Sequence, residues 1–231
     1  MVLGWIVGVI AVATLSLITI DLLQNNEIFV DENIGSGNGR LSPYERIEAL
    51  SCDKEVEITA QDEERGIKAV SGIREILGTD PIQRLCEMGA AERVKAAQTI
   101  HRVLCTAFSI DIGLQMGTSD DGTCGVYRHN DKVMWVDYRY LLSRNPEYIE
   151  EYIDTVFHEF RHAMQIKCIE NSEYNGASED YRKRMACSLH RSIYVNYSEN
   201  PELYYKQLSE RDAREFAAWL IVKLKGENRP V

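Results

Sequence analysis

The stretch from Tyr148 to Ile169 constrains the fold more than any other part of the chain. Apolar residues recur at Ile149, Tyr152, Ile153, Val156, Phe157, Phe160, Ala163, Met164 and Ile166, with no internal Gly or Pro. That spacing has the period of a helix. Asn145-Pro146-Glu147 provides its start, with Asn as N-cap, Pro at the first helical position and an acid in the first turn. Set into this apolar segment is His158-Glu159-Phe160-Arg161-His162. Residues four apart project from one face of a helix, so both imidazoles can reach one metal ion. Zinc suits such a pair, because it takes neutral nitrogen ligands in a tetrahedral arrangement with one open position. Glu159 then lies beside that position, placed to take a proton from a water there. The competing reading is a pair of histidines satisfied by local hydrogen bonds on an ordinary amphipathic helix.

A hydrolytic zinc site needs a third protein ligand and leaves the fourth place to water. The segment from about Pro201 to Lys225 reads as one helix, opened by Pro201 and closed by Gly226. Leu203, Leu208, Ala213, Phe216, Ala217, Leu220 and Leu224 form an apolar stripe along it. Glu210 lies close to this stripe with the small residue Ala213 one turn on, so its carboxylate can approach a second helix closely. Glu210 is the expected third ligand, with Asp212 and His190 as rivals; Glu215 reads as a solvated acid.

These residues resemble a family. His158-Glu159-x-x-His162 followed downstream by Glu210-x-x-Ala213 is similar to the gluzincin branch of the zincin metallopeptidases. The strings Thr155 to Gln165 and Glu210 to Ala217 also look like small bacterial and phage metallopeptidase domains. The repressor-cleaving type usually has Asn where Arg214 stands here, so its substrate is not carried over. The resemblance spans roughly Phe108 to Leu224 and implies zinc held by His158, His162 and Glu210, with Glu159 as general base in peptide hydrolysis. It also implies a Tyr or His that stabilises the tetrahedral oxyanion. Tyr174, Tyr181, Tyr194, Tyr197, Tyr204, Tyr205 and His190 are all available for this. Asp154, one turn before His158, and Asp212 are candidates to orient a ligand histidine. Arg161 points away from the metal face and can pair with one of these acids, and Gln165 can hydrogen-bond across the helix pair.

Before the motif helix, Ser109 to Met116 alternates apolar and polar residues, as a half-buried strand does. Cys124–Tyr127 and Val133–Tyr138 flank the polar turn Arg128 to Lys132 and predict a hairpin. The resemblance implies that one strand of this sheet borders the cleft and pairs with an extended peptide substrate. Further upstream, helices are expected over Gln61–Leu77, closed by Gly78, over Pro81–Met88 and over Ala90–Ala107. His101 falls near the inner face of the last and reads as a core histidine.

Met1 to Ile20 contains no charged residue, and a helix of that length matches the hydrocarbon thickness of a bilayer. No Lys or Arg precedes it, unlike a cleaved signal peptide, so it reads as an uncleaved anchor. Gly35-Ser36-Gly37-Asn38-Gly39 reads as a flexible tether. The expected organisation is a transmembrane anchor over 1–23, a tether over 24–42 and one domain over 43–231. The expected fold class is α+β: a mainly helical, zincin-like domain with a small β-sheet preceding the active-site helix, plus the N-terminal transmembrane helix.

The expected partners are a peptide or protein substrate and, through the anchor, the membrane. A net charge of −10 without a basic stripe repels nucleic acid. Six cysteines, none in a C-x-x-C pair, and the scarcity of basic residues beside the anchor favour a single-pass protein with its domain outside the cytoplasm. The alternative class is a membrane-tethered binding or interaction domain with a structural or inactive zinc site. A structural site would be closed by a fourth ligand, for which Cys168 and Cys187 are available. A deformylase-like amidase would use a Cys upstream of the histidines, and Cys124 lacks the matching surroundings.

Overall fold

The computed structural model describes residues 56–226 apart from 121, 191 and 192. The expected anchor and tether lie outside the described residues, and among those described no helix is long and apolar enough to cross a membrane. The fold is α+β and mainly helical, with one small sheet.

Three helices come first: α1 (Ala60–Leu77), α2 (Pro81–Glu87) and α3 (Ala90–Phe108). A capping box opens α1, in which Thr59 and Asp62 satisfy each other's backbone N–H groups. Strand β1 (Gly113–Gly117), strand β2 (Gly125–Arg128) and strand β3 (Val133–Asp137) follow. Spatial order is β1-β3-β2, with β1 parallel and β2 antiparallel to β3. The expected hairpin is therefore present, and β2 is an outer strand. The strand expected from Ser109 begins later. Ser109 instead takes a left-handed conformation (φ 54°) that ends α3, and Ile110 and Ile112 enter the core from the connecting loop.

After the short α4 (Tyr138–Leu142), α5 (Pro146–Glu170) carries the motif. It starts as expected, with the Asn145 side chain accepting from the Glu147 N–H at 3.0 Å and Pro146 in the first turn. It is more deeply enclosed than an amphipathic helix. Besides its apolar stripe, Glu159, Arg161, His162 and Gln165 are all buried. The helix packs against α2, α4, β2, β3, α6 (Glu179–Ser188) and α8 (Leu208–Lys225). Burial on several faces obliges each of its polar side chains to find a partner. Phe108 meets Phe160 in a tilted pair at 5.5 Å and Phe216 edge-on at 5.7 Å, joining α3, α5 and α8 in one core.

The single helix expected over Pro201–Lys225 is two, α7 (Pro201–Lys206) and α8, separated by Gln207 in extended conformation (φ −66°, ψ 145°). The cause is local hydrogen bonding that periodicity does not register. The buried Gln207 amide accepts from the Val195 N–H at 3.2 Å and donates to the Val195 carbonyl at 2.9 Å, as a neighbouring strand would. The break sets Glu210 in the first turn of α8, where the helix dipole favours a carboxylate. Gln207→Ala leaves two buried backbone groups unpaired and is expected to cost about 1–3 kcal/mol. The shift in the urea midpoint measures this; a change within error would mean that something else holds the break.

Candidate metal centre

His158 and His162 sit one turn apart on α5, with ring centroids 4.8 Å apart and planes at 80°. Their Nε2 atoms face each other at 3.1 Å. Glu210 closes the group from α8, with Oε2 at 3.2 Å from His158 Nε2 and Oε1 at 3.4 Å from His162 Nε2. Two imidazole nitrogens and both oxygens of one carboxylate thus converge, with one ligand atom from each residue within 4.8 Å of the others. Among the described residues this is the one group of His, Cys, Asp and Glu that could hold a metal ion. The rivals for the third position are not in it. Asp212 is committed to Arg161, and His190 lies just beyond the end of α6. Cys168 and Cys187 are free thiols outside the group, as are Cys86, Cys105 and Cys124. His101 is buried in α3, with Nε2 at 3.5 Å from Cys105 Sγ.

The electrostatics of the group are those of a tightly coupled buried cluster. For Glu210, burial opposes the charge, but the adjacent His162 and the hydrogen bond from His158 hold its carboxyl well below the usual range. For His162, burial alone would lower the pKa, yet the Glu210 carboxylate pushes it up to about 9. A proton on the imidazole balances the carboxylate. A metal ion would take that role by displacing the proton.

Glu159 is buried beside the group, and a backbone hydrogen bond from Tyr127 on β2 reaches its carboxylate. Burial raises its carboxyl above the ordinary carboxylate value, against the opposing pull of His158 and His162. A carboxyl raised in this way is suited both to accepting and to returning a proton.

A cleft of about 450 Å³ opens on His158 and Glu159. Gly122–Gly125, leading into β2, lines it, as do Asp154 and Thr155 of α5 and the rings of Tyr197, Tyr204 and Tyr205. Gly125 is a residue whose role the sequence pattern alone does not reveal, although a glycine at a strand start can mark close backbone approach. A Cβ there would lie 2.5 Å from Thr155 Cγ2 and 2.8 Å from Glu159 Cγ. Gly125→Ala must therefore push β2 off α5 or displace Glu159, and overpacking of this kind costs about 1–3 kcal/mol. Thermal unfolding of Gly125→Ala, with and without Thr155→Ser to remove the methyl, tests this; the double variant is expected to recover part of the loss. Equal destabilisation with and without the methyl would place the strain elsewhere.

The structure sorts the tyrosines. Tyr194 donates to Glu210 Oε1 at 2.8 Å, and Tyr204 also hydrogen-bonds Glu210 while lining the cleft. Burial and then the Glu210 charge raise both phenols far above their ordinary value, so both remain proton donors. Tyr174 donates to the Phe108 carbonyl, and Tyr181 accepts from Arg161, each inside the core. Tyr197 and Tyr205 are exposed at the rim. Asp154 faces the cleft, half-buried, and burial raises its carboxyl against the nearby His158.

No protein-family model matches the chain, and neither does any curated protein or solved structure.

Proposed function

We propose that this chain is a membrane-anchored, zinc-dependent metallopeptidase. The observation that carries the proposal is the convergence of two imidazole nitrogens and the Glu210 carboxylate, with one ligand atom from each residue within 4.8 Å of the others, beside a cleft that Glu159 borders. Zinc with bonds of about 2.0–2.1 Å in tetrahedral geometry sets its ligand atoms about 3.3 Å apart, close to the 3.1 Å between the two imidazole nitrogens and the 3.2 Å from His158 Nε2 to Glu210 Oε2, so this donor set suits it. Three protein donors and an open cleft support catalysis over a closed structural site. His158, His162 and Glu210 would hold the ion. When bound, zinc supplies a Lewis acid that makes water nucleophilic near neutral pH and polarises a carbonyl.

The chain's own groups do the rest. Glu159 accepts the proton of the attacking water and delivers it to the leaving amine. Tyr204, whose O–H meets Glu210 beside the cleft, would turn that O–H to the oxyanion as charge develops there. Tyr194 holds Glu210 in place from the other side of the same carboxylate. The segment Gly122–Gly125, which lines the cleft as it leads into the outer strand β2, would offer backbone groups to an extended peptide substrate. The anchor over 1–23, with its uncharged run over 1–20, would tether this domain to a membrane, outside the cytoplasm.

The test is metal content and peptide cleavage by the full-length chain, wild type against Glu210→Ala. The expected result is one zinc per wild-type chain, cleavage of a peptide library, and loss of both in the variant. Wild type purified without metal, and refusing added zinc, would end the proposal.

A further inference from the structure

We infer that Gln165 is a positioning residue that sets the tautomer of His162, and that the buried Arg161–Asp212 pair holds it in that role. The inference deepens the zinc reading and rests on it. Gln165 lies on α5 one turn after His162 and is 1% exposed. Its Nε2 lies 2.8 Å from the Ser209 carbonyl and 2.7 Å from Asp212 Oδ2. Both of those are acceptors. Turning the amide over would set its oxygen against two other oxygens in a dry interior, so the orientation is forced. The amide oxygen therefore faces His162 Nδ1, at 2.9 Å. An acceptor there requires that Nδ1 carry the proton. His162 Nε2, the atom 3.1 Å from His158 Nε2 and 3.4 Å from Glu210 Oε1, is then the nitrogen left with a lone pair for a metal ion.

What fixes Gln165 is itself fixed. Asp212 Oδ2 also accepts from Arg161 Nε at 2.8 Å, and its Oδ1 accepts from Arg161 Nη2 at 3.0 Å. Arg161 is clamped on its other side by Asp62 of α1, at 2.9 Å. Asp62 in turn accepts from Asn175 Nδ2 at 3.1 and 3.2 Å. The hydrogen-bonded series runs from α1 through Arg161 and α8 to Gln165, and ends on the ligand histidine. The residue between the two ligand positions in His158-Glu159-Phe160-Arg161-His162 thus supports the second of them by a route through another helix.

The experiment uses the full-length chain, wild type and Gln165→Met, a replacement of similar volume with no acceptor for Nδ1–H. Zinc affinity is measured by competition with a chromophoric chelator, folding by thermal unfolding. Nitrogen-15 NMR of labelled histidine reports which ring nitrogen of His162 is protonated, with and without zinc. The expected result is a proton on His162 Nδ1 in both wild-type states, and a loss of zinc affinity of about 10–100-fold in the folded Gln165→Met protein. A side chain that merely filled space would leave affinity and tautomer unchanged. The inference is overturned if wild-type His162 carries a proton on Nε2 and none on Nδ1, or if folded Gln165→Met binds zinc as tightly as wild type. The wild-type NMR measurement decides the first point even should the variant fail to fold. Wild type that binds no zinc at all sinks the peptidase reading instead, while the Nδ1 proton still tests the hydrogen bond.

Discussion

Glu159→Gln is expected to lower peptide hydrolysis by about 10²–10⁴-fold while zinc remains bound, because that is the usual contribution of a positioned general base. The amide keeps the size of the carboxylate and loses only its basicity. Glu159 is buried and outside the group of His158, His162 and Glu210, so metal content should not fall. The buried setting sharpens the expectation. Burial already holds the Glu159 carboxyl above its ordinary value, and exchange for a neutral amide removes a charge the site disfavours. The variant is therefore expected to be at least as stable as wild type in urea. The decisive comparison is kcat with metal content measured on the same sample. A Glu159→Gln protein that binds zinc and cleaves at the wild-type rate would exclude Glu159 as base.

Arg161→Leu is expected to cost about 3–5 kcal/mol of stability, the usual price of leaving a buried charge without its partner. Arg161 is 1% exposed at its side chain, and both Asp62 and Asp212 are 0% exposed. Removing the cation strands two carboxylates in the interior. The guanidinium also lies over the Phe216 ring at 4.8 Å and donates to the Glu57 carbonyl and to Tyr181, contacts that Leu cannot replace. Urea unfolding of the variant reads the loss. Replacing Arg161, Asp62 and Asp212 together by apolar residues of similar volume is expected to recover much of it, because the desolvation of the charges goes with them. A single-variant loss below about 1 kcal/mol would be of the size of an exposed pair and would show that water reaches the carboxylates. Since Asp212 also anchors Gln165, the Arg161→Leu protein that remains folded should bind zinc more weakly than wild type.

Much of the helical framework was legible from residue order. The capped start at Asn145-Pro146, the apolar period of α5 and the stop at Gly78 are local signals, and each element lies where they indicate. The histidine pair was legible for the same reason, since a spacing of four is a property of one helix. Gln207 was not. Its apolar and polar neighbours fit a continuous helix, and the break follows from two hydrogen bonds to Val195, twelve residues away. Ser109 likewise continued an alternating pattern until its backbone turned left-handed to end α3.

For the site, sequence determined the kinds of group available and which of them share a helix face. It offered three rivals for the third donor, seven for the oxyanion and two acids for orientation. Tertiary packing narrowed them by position. It brought Glu210 of α8 against a histidine pair 48 and 52 residues earlier, placed Tyr204 in the cleft, and gave Asp212 to Arg161. The physical reason is the range of the forces involved. Helical period and capping are satisfied within a few residues. Hydrogen bonds between buried polar groups are settled only when separate helices pack, because burial is what makes an unpaired donor or acceptor costly.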